Sequence, residues 1–204
     1  MKLPKLKLFR STQSDQKKPF IFIHIQKTAG KSIKQALGLK GGADHRAAKI
    51  MRDETDESIW NGSFKFSFVR NPWDRIVSAY YYRLQGGNGS NNDLIRAKKY
   101  PDTFELFCEQ IAYFQSLENE SMFVPQKDWI TDNHSNQIID FIGRIENIQN
   151  DFNIICNRLG RQQVQLPHIN QSLHESYRDV YNANTRKLIA LAYQEDIEYF
   201  KYTF

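Results

Sequence analysis

Short apolar runs alternate along this chain with segments of helical spacing. Residues 19–25, PFIFIHI, are rich in Ile and Phe and predict a strand that is buried on both faces. Residues 64–70, FKFSFVR, and 137–144, QIIDFIGR, predict two further strands. Because strands that alternate with helices are typical of parallel sheets, the pattern predicts an α/β fold with a central parallel sheet flanked by helices.

Residues that are typical of helix ends predict where the helices begin and end. SIKQALG predicts a helix that ends at Gly38, and HRAAKIMRDETDESIW predicts a second helix that begins at His45. After Asn71, which can cap a helix, Pro72 suits the first turn of a third helix that extends to about Leu84. Further helices, the last of them broken or double, are predicted in TFELFCEQIAYF, ENIQNDFNIICNRLG and NTRKLIALAYQEDIEYFKY.

The length of 204 residues suits one domain with a full hydrophobic core, which needs no disulfide or metal. We expect residues 1–18 to form a flexible basic tail and residues 19–204 to form a single domain. Residues 86–93, GGNGSNND, predict a flexible loop within that domain.

Composition limits the possible partners and the cellular location of the protein. The formal net charge of +5 favours an anionic partner but is too diffuse to identify one. Cys108 and Cys156 have neither metal-ligand nor redox spacing, so we expect two buried thiols in a reducing compartment. No apolar run approaches the ~20 residues of a membrane span, and the amino-terminal segment lacks a signal-peptide core. These features predict a cytoplasmic protein without a transmembrane segment.

The segment QKTAGKS, between the first strand and the first helix, predicts an anion site. The first turn of a helix has unpaired backbone N–H groups and a partial positive charge. Lys27, Thr28, Lys31 and Ser32 add side-chain donors around the same point. The structural alternative is a plain strand-to-helix turn with solvated lysines.

The chain lacks clear machinery for magnesium. A nucleoside-triphosphate enzyme needs an acidic metal ligand on a later strand, and Asp140 is a weak candidate, since only two strongly apolar residues precede it. A sulfuryl group has one negative charge where a terminal phosphoryl group has up to two. Lysines and backbone amides can therefore neutralise it without a metal, and we expect no metal site.

A second motif, FSFVRNPWDRIVSAYYYRL, places Arg70 at the end of a strand and Ser78 in the following helix. Strand ends of this kind border the ligand crevice of open α/β sheets. A guanidinium fork and a hydroxyl at that point are suited to a second, separate phosphate. Each residue also has a structural explanation, an Arg–Asp ion pair at the helix start or a small buried serine.

Together, IHIQKTAGKS and FSFVRNPWDRIVSAY resemble the sulfotransferases that use 3′-phosphoadenosine 5′-phosphosulfate (PAPS), and most closely their carbohydrate-type branch. FIGRIENIQNDFNIICNRLG and LPHIN extend the resemblance to about two thirds of the chain, and residues 86–136 are poorly covered. Gln26 replaces the usual proline, and Lys31 stands where threonine is common. The resemblance implies a P-loop-like three-layer fold and a single sulfotransferase domain over residues 19–204.

The resemblance also implies roles for the matched residues. Arg70 and Ser78 would bind the 3′-phosphate of PAPS, and Arg144 would close over the nucleotide or, alternatively, pair with Glu146. The 5′-phosphosulfate would be bound by the loop residues Lys27, Thr28, Ala29, Gly30, Lys31 and Ser32.

Transfer to a hydroxyl requires a base, and histidine suits this role because its pKa lies near neutrality. His45 is favoured, since the family often has a histidine between the two phosphate motifs, and His168 is a second candidate. We expect His24 to have a packed or hydrogen-bonded role in the core, and His134 and His174 to lie on the surface.

The expected reaction is in-line transfer of a sulfuryl group to a hydroxyl acceptor, with sugars and glycans first by family resemblance and Lys27 stabilising the leaving oxygen. Trp129, Phe123 and Tyr113 could stack on a sugar or belong to the core. The alternatives are a nucleotide kinase or NTPase, which needs a functional Asp140, and a module that binds nucleic acid or another polyanion. A module that binds nucleic acid or another polyanion would leave both motifs unexplained, so no nucleic-acid partner is expected.

Overall fold

The computed structural model describes residues 18–42, 44–118, 120–167 and 176–204. The predicted tail (apart from its last residue), His168 and His174 lie outside this part of the chain. The strands are β1 (Phe20–Ile23), β2 (Phe64–Val69) and β3 (Phe141–Arg144). The helices are α1 (Gly30–Ala36), α2 (Ala48–Glu54), α3 (Glu57–Gly62), α4 (Pro72–Leu84), α5 (Asn91–Ala97), α6 (Phe104–Glu109), α7 (Ile111–Ser116), α8 (Lys127–Ile130), α9 (Ile148–Arg158), α10 (Tyr177–Val180), α11 (Ala183–Ala192) and α12 (Gln194–Phe200).

The three strands form a parallel sheet in the order β1-β2-β3. Ile23 pairs with Ser67, and Val69 pairs with Arg144. The Ser67 hydroxyl also donates a 2.8 Å hydrogen bond to the Ile23 carbonyl. The predicted α/β fold, with a parallel sheet flanked by helices, is confirmed.

The described residues divide into two compact units, of which the first comprises the described residues of 1–69 and 128–170. In its core, Phe66 and Phe68 of β2 belong to one apolar cluster with Ile33, Leu37 and Phe152. The opposite face of β2 is buried as well, which fits the apolar sequence of a central parallel strand.

The second unit comprises the described residues of 70–127 and 171–204. Aromatic side chains dominate its core: Tyr80 of α4 packs with Phe104 and Phe107 of α6, Phe107 packs with Phe114 of α7, and Tyr193 belongs to the same cluster. Such rings bury large apolar areas, so they stabilise a unit that has no strand among its described residues. The expectation of a single domain over residues 19–204 stays a prediction.

Several predicted boundaries are wrong, and local caps explain them. The helix expected from His45 begins at Ala48, and Asp56 interrupts it because its carboxylate caps α3 through the Ser58 N–H. The strand expected over residues 137–144 is limited to residues 141–144. Within the loop predicted at residues 86–93, Ser90 caps α5.

No helix in the described part of the chain is long and apolar enough to cross a membrane.

Candidate functional site

The turn between β1 and α1 has an unusual backbone. Lys27 and Ala29 adopt left-handed conformations, with φ of 67° and 54°. Each such residue costs about 1–3 kcal/mol and persists only where its surroundings fix it. The buried Thr28 hydroxyl contributes to this by donating a 2.8 Å hydrogen bond to the Ile25 carbonyl. Backbone strain of this kind is concentrated at ligand-binding sites, so the turn is a candidate site.

Gly30 is the first residue of α1, and its position has no room for a side chain. A Cβ there would lie 1.8 Å from Nε2 and 2.0 Å from Cδ2 of His24. The imidazole of His24 therefore occupies the space directly beside the Gly30 backbone.

The first turn of α1 is open to an anion. It contains no acidic residue, and Ala29 provides no side-chain cap for its N–H groups. Lys31 is exposed and Lys27 is partly buried, whereas Ser32 is buried beside the turn. Positive charge and uncapped amides thus meet in one turn, which suits a phosphate or sulfonate group.

His24 and His45 form a pair next to this turn. Their ring centroids are 4.4 Å apart, and His45 Nδ1 lies 3.0 Å from the backbone carbonyl oxygen of His24. Burial and the neighbouring His45 lower the pKa of His24 to about 3, so its imidazole is neutral near pH 7. His24 Nδ1 is a buried polar atom without a hydrogen-bond partner among the described residues.

The tautomer of His45 follows from this geometry. A carbonyl oxygen only accepts hydrogen bonds, so the Nδ1 of neutral His45 must hold the proton. Nε2 is then the basic nitrogen. His45 can therefore act as a proton acceptor through Nε2, while the backbone of β1 orients its ring.

Arg70 follows β2 directly and is held through both its side chain and its backbone. Its Nε and Nη2 donate 2.7 Å hydrogen bonds to the two carboxylate oxygens of Asp74. The Gln126 side chain accepts from the Arg70 N–H and donates to the Arg70 carbonyl. The Arg–Asp ion pair that the sequence leaves open is present, and it fixes the plane of the guanidinium.

Two further predicted site residues have different surroundings. Ser78 is buried on α4, with a relative exposure of 3%. Arg144 ends β3, and its backbone N–H donates a 2.6 Å hydrogen bond to Asp151 at the start of α9. The cofactor roles of both residues stay predictions.

Asp140 lies at the amino ends of the parallel strands, whereas the β1–α1 turn lies at their carboxyl ends. It precedes β3, and its carboxylate accepts from the Lys65 N–H at 2.7 Å and pairs with Lys65 Nζ at 3.1 Å. The register places it about three residues, or roughly 10 Å, below the level of His24. Asp140 therefore cannot serve as a metal ligand for an anion in the turn, and no group of metal ligands occurs elsewhere in the described residues.

The three aromatic residues that are candidates for acceptor binding differ in their solvent exposure. Trp129 and Phe123 are buried, with relative exposures of 3% and 0%. Tyr113 on α7 is 59% exposed. Of these rings, Tyr113 alone is accessible to a sugar.

The sequence predicts roles for the turn, His45 and Arg70, which stay predictions, and it gives no signal for the residues that contact them. His24 is expected in the core and is indeed buried, yet nothing in the sequence indicates that its ring borders Gly30. Gln126 is 56 positions from Arg70, and no local pattern connects the two residues.

Comparisons with known proteins point to one family. The model described as "Sulfotransferase family" matches residues 11–203 of the chain. An uncharacterized protein from Archaeoglobus fulgidus is 23% identical over 133 residues, which are 65% of this chain and 98% of that relative. No solved structure matches the chain.

Proposed function

Because the chain belongs to the sulfotransferase family, whose activity is sulfuryl transfer, we propose that it transfers the sulfuryl group of PAPS to a hydroxyl of a sugar or glycan. The observation that supports this most directly is the β1–α1 turn, in which uncapped amides and lysines lie beside the paired rings of His24 and His45. These features serve anion binding and proton transfer without a metal.

The residues of the turn fit the 5′-phosphosulfate of the donor. Gly30 has no side chain, which leaves room for the His24 ring directly beside the start of α1. Lys27 and Lys31 supply positive charge, and His24 Nδ1 is a buried polar atom without a hydrogen-bond partner among the described residues. Thr28, Ala29 and Ser32 shape the turn, and Thr28 does so through its bond to Ile25.

Arg70 is proposed to bind the 3′-phosphate, together with Ser78. Its guanidinium has five N–H donors, and the bidentate pair with Asp74 orients the whole fork. Pre-orientation lowers the entropy that a phosphate contact would otherwise cost. Arg144, at the end of β3, is proposed to close over the nucleotide.

The proposed chemical step is a single in-line displacement. The acceptor oxygen forms a bond to sulfur, and the bond from sulfur to the bridging oxygen of the 3′,5′-bisphosphate breaks. The hydroxyl proton passes to Nε2 of His45, because Nδ1 already donates to the His24 carbonyl. Lys27 stabilises the negative charge that develops on the bridging oxygen.

The kinase alternative requires Asp140 as a metal ligand, but Asp140 pairs with Lys65 at the end of the strands that lies away from the turn. The polyanion-binding alternative does not account for the pairing of the buried His24 with the partly buried His45.

Calorimetric titration with 3′-phosphoadenosine 5′-phosphate, AMP and ATP, each with and without Mg²⁺, tests the proposed function. We expect the bisphosphate to bind most tightly and without metal, and to raise the melting temperature. Equal affinity for AMP would contradict a 3′-phosphate site. A preference for ATP that depends on Mg²⁺ would favour the kinase instead.

A further inference from the structure

The backbone of Arg70 is held by a side chain in the way that a neighbouring strand would hold it. Arg70 N–H donates to Gln126 Oε1 at 2.9 Å, and Gln126 Nε2 donates to the Arg70 carbonyl at 2.8 Å. An amide that both accepts from and donates to one residue reproduces the paired bonds of a sheet ladder. The Gln126 side chain thus continues the hydrogen bonding of the chain one residue beyond the end of β2.

Three partners fix which way the Gln126 amide points. The Arg70 N–H can only donate, whereas the Arg70 carbonyl and the Asp196 carboxylate can only accept. Gln126 Nε2 lies 2.8 Å from that carbonyl and 3.3 Å from Asp196 Oδ2, so Nε2 must be the NH₂ group. A flipped amide would lose every one of these bonds.

Asp196 in turn fixes Gln126. Its two carboxylate oxygens accept from the backbone N–H groups of Gln126 and Lys127, each at 2.8 Å. Gln126 and Asp196 are both fully buried, with a relative exposure of 0%. A buried side chain with all of these bonds has a single position, unlike a surface glutamine.

Arg75 holds the same segment from the opposite direction. This fully buried residue of α4 donates from Nη2 to the carbonyls of Met122 and Val124, at 2.8 and 3.0 Å. The segment before Gln126 is therefore bound through its carbonyls by a cation, and Gln126 and Lys127 through their N–H groups by an anion. This arrangement has a desolvation cost for two charges, which the hydrogen bonds to the segment offset in part.

We infer that Gln126 and Asp196 are positioning residues that set the direction of Arg70 and thereby determine selectivity for a nucleotide with a 3′-phosphate. The inference rests on the proposed function, in which Arg70 binds that phosphate. A long arginine side chain amplifies any rotation of its own backbone, so a guanidinium that must meet a phosphate needs a fixed Cα as well as the Asp74 pair. Neither Gln126 nor Asp196 is required to touch the nucleotide.

The test compares Gln126→Met, which removes the amide at similar length, with Gln115→Met as a matched control. Gln115 also donates from its side chain to a backbone carbonyl, that of Ala192, but it has no bond to Arg70. The measured quantity is the ratio of the dissociation constants for AMP and 3′-phosphoadenosine 5′-phosphate. We expect this ratio to fall about tenfold in Gln126→Met and to stay within twofold of wild type in Gln115→Met.

Three further variants guard against misfolding and against a purely structural role. Gln126→Leu also removes the amide and adds no charge beside Asp196, so it replaces Gln126→Met if that protein does not fold; Asp196→Asn is expected to lower the ratio in the same direction. In an Arg70→Ala background, Gln126→Met should not change the ratio further, because the effect passes through Arg70.

Two results would overturn the inference. The first is a wild-type ratio retained in a folded Gln126 variant, and the second is an additional loss from Gln126→Met on top of Arg70→Ala. A wild-type protein that binds AMP as tightly as the bisphosphate would instead refute the proposed function itself, together with this inference.

Discussion

Gly30 and His24 depend on each other at the residue scale. The ring of His24 occupies the place where a side chain at residue 30 would lie, at 1.8 Å from a Cβ. The motif alone predicts the glycine, because a phosphate loop needs one. It does not predict that a histidine six positions earlier enforces it.

Gly30→Ala should therefore destabilise the protein by about 1–3 kcal/mol, the usual cost of overpacking a buried site. Gly42→Ala is the matched control, since a Cβ there meets nothing within 4 Å, and it should be nearly neutral. Chemical denaturation measures both. The double variant His24→Ala/Gly30→Ala should recover part of the loss; strictly additive losses would show that the two residues do not compete for space.

His24 also makes stability depend on pH. Burial, and then His45, lower its pKa to about 3 in the folded protein from about 6.5 in the unfolded chain. The unfolded state thus binds one more proton between these values. The contribution of His24 is complete above pH 6.5 and is lost as the pH falls toward 3, at up to about 1.4 kcal/mol per pH unit.

Denaturation curves of wild type and His24→Phe at pH 7, 6 and 5 measure this dependence. We expect the free energy of unfolding to fall less steeply with decreasing pH in the variant, since phenylalanine cannot titrate. Equal slopes in the two proteins would mean that the pKa of His24 is the same in the folded and unfolded states.

His45→Ala should lower turnover by roughly a hundredfold or more and leave nucleotide affinity nearly unchanged, because a general base does not hold the cofactor. Lys27→Ala should weaken both. The exposed His134, replaced by alanine, is the control and should behave as wild type. Turnover at saturating donor, together with calorimetric affinity, separates these cases, and normal turnover in His45→Ala would assign the proton to another group.

At the scale of elements, the sequence predicts where strongly periodic helices lie, but it does not predict the breaks within them. The Asn71 cap and Pro72 define α4, which ends at Leu84 as its sequence predicts. By contrast, α6 and α7 form one predicted helix that breaks at Gln110. Tertiary packing of aromatic residues selects such breaks, and the hydrophobic period of a short segment does not contain that information.

A buried charge network connects α4 to α5 and to the segment that precedes Phe123. Arg83 donates to Asp93 at 2.7 Å and to Glu120 at 2.8 Å, and all three side chains are at most 11% exposed. Asp93 Oδ2 also accepts from the Asn88 N–H, so the glycine-rich loop is anchored.

Arg83→Met should destabilise the protein by about 3–5 kcal/mol, because it removes the cation that pairs with the buried Glu120 and leaves Asp93 only the more distant Arg96, at 3.7 Å. Arg52→Met removes the same charge from an exposed pair with Asp53 and should change stability by less than about 0.5 kcal/mol. Urea denaturation of both variants measures the difference. Similar small effects would indicate that water reaches the Arg83 network.

At the scale of the whole molecule, the parallel sheet predicted from the sequence is confirmed, whereas the phosphate roles of the two motifs stay predictions. The support behind Arg70 joins residues 56 and 70 positions apart, from Arg70 to Gln126 and from Gln126 to Asp196. Only the folded chain brings such residues together. The same holds for Asp140, whose place at the amino ends of the strands follows from strand register and not from its apolar neighbours.

Sulfuryl transfer from PAPS can be measured with a labelled donor. PAPS labelled in the sulfuryl group is incubated, without divalent metal, with the protein and a panel of glycans, simple sugars and phenols. We expect label on a sugar or glycan hydroxyl, one 3′-phosphoadenosine 5′-phosphate formed per sulfate transferred, and no transfer by His45→Ala above about one hundredth of the wild-type rate. Transfer to phenols alone would contradict the sugar acceptor. No transfer to any acceptor, with the donor left intact, would contradict sulfuryl transfer itself.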